Sequence, residues 1–167
     1  PPGNKVRYRV TAKTVGWVPV RQFFHGKIVT GEPKTGPTHS FRTLDPNAGV
    51  TQFVVWNDTH ENDTTLRALH KSTTEINPDF LLWNGDQSND IHFPKDMNGQ
   101  FLSPFGLNIA DCWPLAYVRG NHDVRGPAAR FLAEFTGTPG DEFYYAFRSG
   151  PVASLVMDTG EDKADDH

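Results

Sequence analysis

The stretch that decides the fold is GVTQFVVWNDTHEN, residues 49–62. A largely apolar run ends at Trp56, and Asp58 and His60 follow within four residues. A short run rich in β-branched and aromatic residues predicts a buried strand. Side chains two positions apart in extended backbone point the same way, so Asp58 and His60 can hold one ion from the end of that strand. The next question is which other residues lie near the end of this strand.

Two more buried strands are predicted downstream, and each also ends in polar residues. INPDFLLWN, residues 76–84, precedes Gly85 and Asp86, and WPLAYVR, residues 113–119, precedes GNHD, residues 120–123. Apolar strands separated by helices predict a mostly parallel sheet that is covered on both faces. Ligands of open α/β sheets bind at the carboxyl ends of the strands, so we expect the three polar clusters to converge.

Helix signals separate these strands. NDTTLRALHKS, residues 62–72, offers Asn62 or Asp63 as the N-cap and two leucines on one face. GPAARFLAEF, residues 126–135, has apolar residues at helical spacing and places Pro127 at a helix start. FYYAF and VASLVM, which follow, predict two final strands.

The first 47 residues have a different texture. Apolar and polar residues alternate in KVRYRV, and THSFRTL is a second run typical of extended backbone; glycine and proline lie between them. Both runs predict short strands. The change comes at DPN, residues 45–47. We therefore predict a β-rich segment at 1–47 and an α/β domain at 48–167.

Composition and charge narrow the function classes. The chain has 167 residues, 37% hydrophobic and 22% charged, which is a globular composition. A net charge of −4 with scattered lysines and arginines makes nucleic acid an unexpected partner. One cysteine excludes an intrachain disulfide framework, and we predict no membrane-spanning segment. The sequence leaves the oligomeric state open.

The three clusters supply the residue types of a metal site. Neighbouring strands lie about 4.8 Å apart, so Asp58 and Asp86 can place carboxylates about one metal or across a pair. Asn121 offers a neutral amide oxygen, and His122, beside Asp123, can protonate a leaving oxygen. Alone, D-x-H is a common pattern and Gly-Asp is a routine turn pair, whereas GNHD is uncommon but consists of turn-forming residues. Together, each after a buried strand, they favour a metal site.

DTH, GDQSN and GNHD, in this order after three strands, resemble the first three signature blocks of the calcineurin-like metallophosphoesterases. The resemblance covers residue 50 to about Asp158. It implies an α/β fold in which a metallophosphoesterase-type sheet is layered with helices, here the N-terminal half of that sandwich. It also implies the following roles: metal ligands Asp58 and His60 for the first ion, Asp86 bridging both ions, Asn121 for the second, and catalytic His122 supported by Asp123.

The front segment resembles the end of a fibronectin-III-like domain, as in purple acid phosphatases and related secreted phosphatases. SFRT, residues 40–43, carries that likeness. Purple acid phosphatases have D-x-G and G-D-x-x-Y, whereas this chain has His60 and Asn89 at the corresponding positions. The resemblance therefore implies a metal set without tyrosinate bound to iron, and it favours a secreted or periplasmic location while leaving localisation open.

The family completes its site with a further histidine and a G-H-x-H block. This chain has no histidine between His122 and His167. We therefore expect a partial catalytic domain that is a poor enzyme in isolation, because even outer partners of a metal typically contribute about 10- to 100-fold.

The sequence thus predicts a phosphoester hydrolase that uses two divalent or transition metal ions, with Mn, Fe, Zn and Co equally suitable. By resemblance, a hydroxide held between the ions attacks phosphorus. The alternative is a non-catalytic metal-binding or adhesive module that retains the fold. A Ser/His/Asp hydrolase is disfavoured, because no serine lies in a G-x-S-x-G turn. Substrate type, whether monoester, diester or nucleotide, stays open.

Overall fold

A computed structural model describes residues 1–18, 26–138, 140 and 142–158. The chain divides into two compact units. The smaller unit spans Val6–Ser40, and the larger combines Pro1–Lys5 with Phe41–His167. The domain boundary predicted at residues 47 and 48 stays a prediction.

The described strands are short and pair mostly in twos. They are β1 Lys5–Tyr8, β2 Thr11–Ala12, β3 Val15–Val18, β4 Lys27–Thr30, β5 Lys34–Thr35, β6 His39–Arg42, β7 Phe53–Trp56, β8 Phe80–Asn84, β9 Leu115–Val118, β10 Tyr145–Ser149 and β11 Val152–Val156. β1 pairs with β6, and the antiparallel pairs β2–β5 and β3–β4 lie within the smaller unit. The short strands expected near the N-terminus are therefore present.

A three-stranded parallel sheet in the order β7-β8-β9 organises the larger unit. Trp56 lies beside Trp83, and Trp83 lies beside Tyr117, so the three strands end at nearly the same level. This arrangement confirms the parallel sheet predicted from the apolar runs. It brings the three polar loops to one edge.

Helix α1, Asp63–Ile76, connects β7 and β8. Asn62 caps it, because the Asn62 side chain accepts a hydrogen bond from the backbone N–H of Thr65 at 2.9 Å. The helix is longer than predicted and ends at Ile76, and its C-cap Asn77 has a left-handed backbone. The strand expected to begin at Ile76 therefore begins at Phe80. Asn77 followed by proline is a helix-stop signal that the pattern of apolar residues concealed.

Helix α2, Leu132–Thr136, is shorter than the sequence indicated. A 3-10 turn at Ala129–Phe131 precedes it, and Pro127 lies outside both. The prediction of Pro127 as a helix start is wrong. Gly126 at φ 90° and the chain's return to Ile91 delay the helix.

The core of the larger unit lies against the sheet. Two buried tryptophans, Trp56 and Trp83, meet edge to face at 5.1 Å between ring centroids, and Leu66 and Leu132 pack into the same cluster. β10 and β11 form an antiparallel hairpin. Full cover on both faces is not observed, since Phe53 and Val55 of β7 are 39% and 47% exposed. The larger unit is thus a mixed α/β domain, rich in strands, in which the layering is partial.

Short turns of 3-10 or π type link β8 to β9. They are Pro94–Asp96, Asn98–Leu102 and Pro104–Gly106. Ile91, Met97, Phe101 and Ile109 of this connection are buried, so the long loop forms part of the core. Among the described residues, no helix has the length and apolarity needed to cross a membrane.

Candidate metal centre

The loops that follow β7 and β8 continue the sheet's pairing beyond the strands. The backbone N–H of Asp58 donates to Gly85 O at 3.1 Å, that of His60 to Asp86 O at 3.0 Å, and that of Glu61 to Gln87 O at 3.1 Å. Backbone hydrogen bonds therefore hold the two loops side by side, and side-chain bonds such as that from Asn89 N–H to Glu61 Oε2 at 3.2 Å add to them. The side chains of both loops therefore start from backbone positions that these hydrogen bonds fix.

Backbone strain is concentrated in these loops. Asp58, His60, Glu61 and Asp86 have φ of 57°, 45°, 54° and 50°. Non-glycine residues with left-handed backbone are uncommon and cluster at functional sites. The extended backbone expected through Asp58 and His60 is therefore wrong, although their side chains still meet, with His60 Nε2 3.1 Å from Asp58 Oδ1.

The third loop approaches the second closely at Gly120. A Cβ atom at this position would lie 2.2 Å from Asp86 Oδ1 and 2.4 Å from Asp86 N. Real Cβ contacts are never that short, so only glycine lets the two loops meet here. The glycine of GNHD is required by this approach.

His60, Asp86 and His122 each place one nitrogen or oxygen atom within 4.8 Å of the others. The rings of His60 and His122 meet nearly at right angles, 4.6 Å between centroids. On the outer side, His60 Nε2 lies 3.1 Å from Asp58 Oδ1, and His60 Nδ1 lies 3.1 Å from Asn89 Oδ1. The three sequence clusters therefore do converge at one edge of the sheet.

Asp86 is the centre of the arrangement. Its Oδ1 accepts a hydrogen bond from the backbone N–H of His122 at 2.9 Å. Its Oδ2 lies 3.2 Å from the side-chain amide of Asn121, whose hydrogen-bonded orientation has the nitrogen donating to Asp86 and the oxygen accepting from Arg125 Nη2 at 3.2 Å. In this orientation the Asn121 oxygen, which is the atom that binds cations, faces Arg125.

Asp123 is fully buried and ties two of the loops together. Its Oδ1 accepts from the backbone N–H groups of Gln87 and Ser88, both at 3.1 Å, and its Oδ2 accepts from Gly120 N–H at 2.9 Å. The pKa of Asp123 is raised above its ordinary value, chiefly by burial, although the N–H groups of Gly120 and Ser88 act to lower it. The carboxylate thus stabilises the backbone that presents Asp86 and His122.

Tyr117 of β9 lies beneath this loop. Burial, and then the nearby charge of Asp123, raise the pKa of Tyr117 well above its ordinary value. The Tyr117 hydroxyl makes no hydrogen bond of normal geometry with the described residues, although Asp123 is near enough to affect it. The Tyr117 hydroxyl is therefore buried beside Asp123 without a well-formed hydrogen bond to the described residues.

These residues fit a divalent metal by donor type and by spacing. Imidazole, carboxylate and amide groups suit Mn, Fe, Zn or Co. Ligand atoms bound at about 2.1 Å lie about 3.0 to 3.4 Å apart around one ion. His60 Nε2 and Asp58 Oδ1 are 3.1 Å apart, and these side chains are 32% and 63% exposed, so an ion can reach them from solvent.

Asn89 and Arg125 contact the predicted ligands, although sequence reasoning gave neither a firm role. Asn89 binds His60, and Arg125 Nη1 lies 2.9 Å from His122 Nδ1. Their positions, three residues after Asp86 and three after His122, were the available signal. The ligand and catalytic roles assigned to individual residues from the sequence stay predictions.

Comparison with known proteins agrees with this geometry. The family model for calcineurin-like phosphoesterases matches residues 51–162, which is more than half of the chain and includes all three polar loops. No curated protein matches the chain. The chain belongs to the calcineurin-like phosphoesterase family.

Proposed function

We propose that this chain carries the N-terminal part of a metal-dependent phosphoester hydrolase site. The observation that carries the proposal is the convergence of His60, Asp86 and His122 within 4.8 Å at the carboxyl edge of a parallel sheet. Membership of the calcineurin-like phosphoesterase family supports hydrolysis of phosphoesters as the reaction class.

Six side chains divide the work in this proposal. Asp58 and His60 would hold one ion, Asp86 would contact both ions, and Asn121 would offer its oxygen to the second ion after its amide turns away from Arg125. Divalent ions bound here would neutralise phosphoryl oxygens and lower the pKa of a bound water. His122 donates a proton to the leaving oxygen, and the backbone clamp made by Asp123 keeps it in place.

A second, less detailed proposal concerns residues 1–47. We infer that residues 1–47 are the end of a fibronectin-III-like domain. The short antiparallel pairs β2–β5 and β3–β4 support this inference. A phosphatase with that arrangement would carry its metal site on the larger unit alone.

The first experiment measures how much metal the chain binds. The purified chain is loaded with manganese, passed through gel filtration and analysed for bound metal, and hydrolysis of p-nitrophenyl phosphate and bis(p-nitrophenyl) phosphate is measured. About two equivalents of metal with hydrolysis are expected where a complete site forms. A fraction of one equivalent shows that ligands beyond those converging here are needed.

Variants test the residues. Asp86→Ala and His60→Ala should reduce bound metal and hydrolysis by at least tenfold, whereas His70→Gln, a histidine of α1 that contacts Asn108 O, should change neither. Full activity in either site variant would refute the assignment. Stoichiometric metal without any hydrolysis would favour the alternative, a non-catalytic metal-binding module.

A further inference from the structure

A buried ion pair joins the end of β9 to the end of β11. Arg119 follows β9 directly, and Asp158 lies two residues after β11. The Arg119 and Asp158 side chains are only 8% and 9% exposed. Arg119 Nε donates to Asp158 Oδ1 at 3.2 Å, and Arg119 Nη2 donates to Asp158 Oδ2. The guanidinium and the carboxylate therefore meet through two parallel hydrogen bonds.

Two further contacts hold the same parts of the chain together. The guanidinium carbon of Arg119 lies 4.1 Å from the ring centroid of Phe143, a buried residue just before β10. The Tyr145 hydroxyl of β10 accepts from Tyr117 N–H at 2.8 Å and donates to the Tyr117 carbonyl at 2.7 Å. Directional polar contacts at Tyr117 and Arg119 thus fix the β10–β11 hairpin against β9.

Stability alone does not explain an ion pair in this place. Two charges that are taken out of water lose hydration, and apolar side chains of similar volume often serve a fold equally well. A contact between arginine and a carboxylate through two hydrogen bonds fixes both the distance and the direction between the two groups. The geometry that the pair imposes is therefore the better explanation for it.

This geometry matters most at the residue that follows Arg119. A Cβ atom on Gly120 would lie 2.2 Å from Asp86 Oδ1, so the loop after β9 passes Asp86 without spare room. The Gly120 N–H donates to Asp123 Oδ2 at 2.9 Å. The His122 N–H donates to Asp86 Oδ1 at 2.9 Å. A small displacement of the backbone at Arg119 would break these two hydrogen bonds or push the loop into Asp86.

We propose that Arg119 and Asp158 are positioning residues that set the path of the loop after β9 across Asp86. The inference rests on the proposed function. It gives the β10–β11 hairpin, which holds none of the predicted ligands, a part in the candidate metal centre. The hairpin supports the loop that presents Asn121 and His122.

Replacing both members of the pair separates positioning from stability. The double variant Arg119→Met with Asp158→Leu puts apolar side chains in place of the ion pair, so its urea midpoint should stay near that of the wild-type chain. Arg119→Lys keeps the charge and loses the planar fork. Arg67→Met is the matched control, because Arg67 forms an exposed ion pair with Asp63, 2.6 Å from Nε to Oδ1.

Amide hydrogen exchange, followed by NMR on the metal-free chain, measures the loop directly. In the double variant the N–H groups of Gly120 and His122 should exchange about tenfold faster, because each loses a hydrogen bond. The Leu66 N–H of α1, which donates to Asn62 O at 2.9 Å, should keep its wild-type rate. Arg67→Met should leave the rates at Gly120 and His122 unchanged.

Two results would overturn the proposal. One is a folded double variant in which Gly120 and His122 exchange at wild-type rates. The other is an equal acceleration at Gly120, His122 and Leu66, which would report a general loss of stability. Should the double variant not fold, Arg119→Lys decides: about threefold faster exchange at Gly120 and His122 is expected, and unchanged rates would overturn the proposal.

Manganese affinity, measured by calorimetry, gives the second readout. The double variant should bind manganese at least about tenfold more weakly at an unchanged urea midpoint, and unchanged affinity would overturn the proposal. If the wild-type chain binds no manganese, the exchange rates decide alone. Failure of the proposed function looks different, because hydrolysis would be absent from every chain while exchange at Gly120 and His122 still followed the ion pair.

Discussion

Removal of the Asp123 carboxylate should destabilise the larger unit by an amount that the structure allows to be worked out. Asp123→Ala leaves three backbone N–H groups without an acceptor. Those of Gln87 and Ser88 belong to residues at most 1% exposed, so water does not replace the lost acceptor, whereas Gly120 is partly exposed. Two buried unsatisfied donors cost about 1–3 kcal/mol each.

The carboxylate also carries a cost that the substitution relieves. Burial raises the pKa of Asp123, so the charged form is held in the fold at some expense. Setting that relief against the two orphaned donors, we expect Asp123→Ala to lower the free energy of unfolding by about 2–4 kcal/mol. Asp123→Asn keeps an acceptor for Gln87 and Ser88 and loses only the bond from Gly120, so it should cost about 1–2 kcal/mol.

Urea unfolding followed by tryptophan fluorescence measures both values, since Trp56 and Trp83 are at most 1% exposed. If the m-value is the same in both proteins, a shift of the urea midpoint reports a change in stability. Asp90→Ala, at an exposed aspartate of the loop after β8 that holds Gln87 and Ser88, is the matched control and should change stability by less than about 0.5 kcal/mol. The reasoning fails if Asp123→Ala behaves like Asp90→Ala, or if Asp123→Asn costs as much as Asp123→Ala.

Three further predictions follow from single contacts. Gly120→Ala should lower manganese affinity at least tenfold, measured by calorimetry, because its Cβ would lie 2.2 Å from Asp86 Oδ1; Gly99→Ala, whose Cβ would meet nothing within 4 Å, should leave affinity unchanged. Asn62→Ala should cost about 1 kcal/mol in urea unfolding through loss of the α1 N-cap, and an unchanged midpoint would contradict that role. Partial burial and the neighbouring Asp111 carboxylate raise the pKa of Cys112 to about 11, so iodoacetamide at pH 8 should alkylate the folded chain at least about tenfold more slowly than the urea-unfolded chain, and equal rates would refute the shift.

The sequence predicted those features that depend on local chemistry. The parallel strands followed from short apolar runs, and the helix cap at Asn62 followed from its side-chain oxygen before an apolar-periodic stretch. The convergence of Asp86 and His122 followed from a general rule about strand ends. These features need no knowledge of which distant residues meet.

Features that depend on residues approaching each other in space could not be predicted from the sequence. Asp123 was expected to support His122 directly, and nothing in GNHD indicated that its carboxylate would accept from backbone N–H groups more than 30 residues away. The contacts of Arg125 with Asn121 and His122 could be recognised only once those side chains were in place. Likewise Pro127 carried a local helix-start signal that the return of the chain to Ile91 overrode.

The left-handed backbone of the loops constrains these positions a second time, apart from any chemistry. At φ near 50° the residues that fit with least penalty are glycine, asparagine, aspartate and histidine, whereas a β-branched residue is strongly disfavoured. Asp58, His60 and Asp86 therefore satisfy a folding requirement as well as a ligand requirement. A related protein that no longer catalysed the reaction would still need residues that tolerate left-handed backbone at these three positions. The presence of such residues in a sequence is therefore evidence first for the loop conformation and only then for catalysis. Asn in place of Asp86 would tell the two pressures apart, since it suits the backbone and removes the charge.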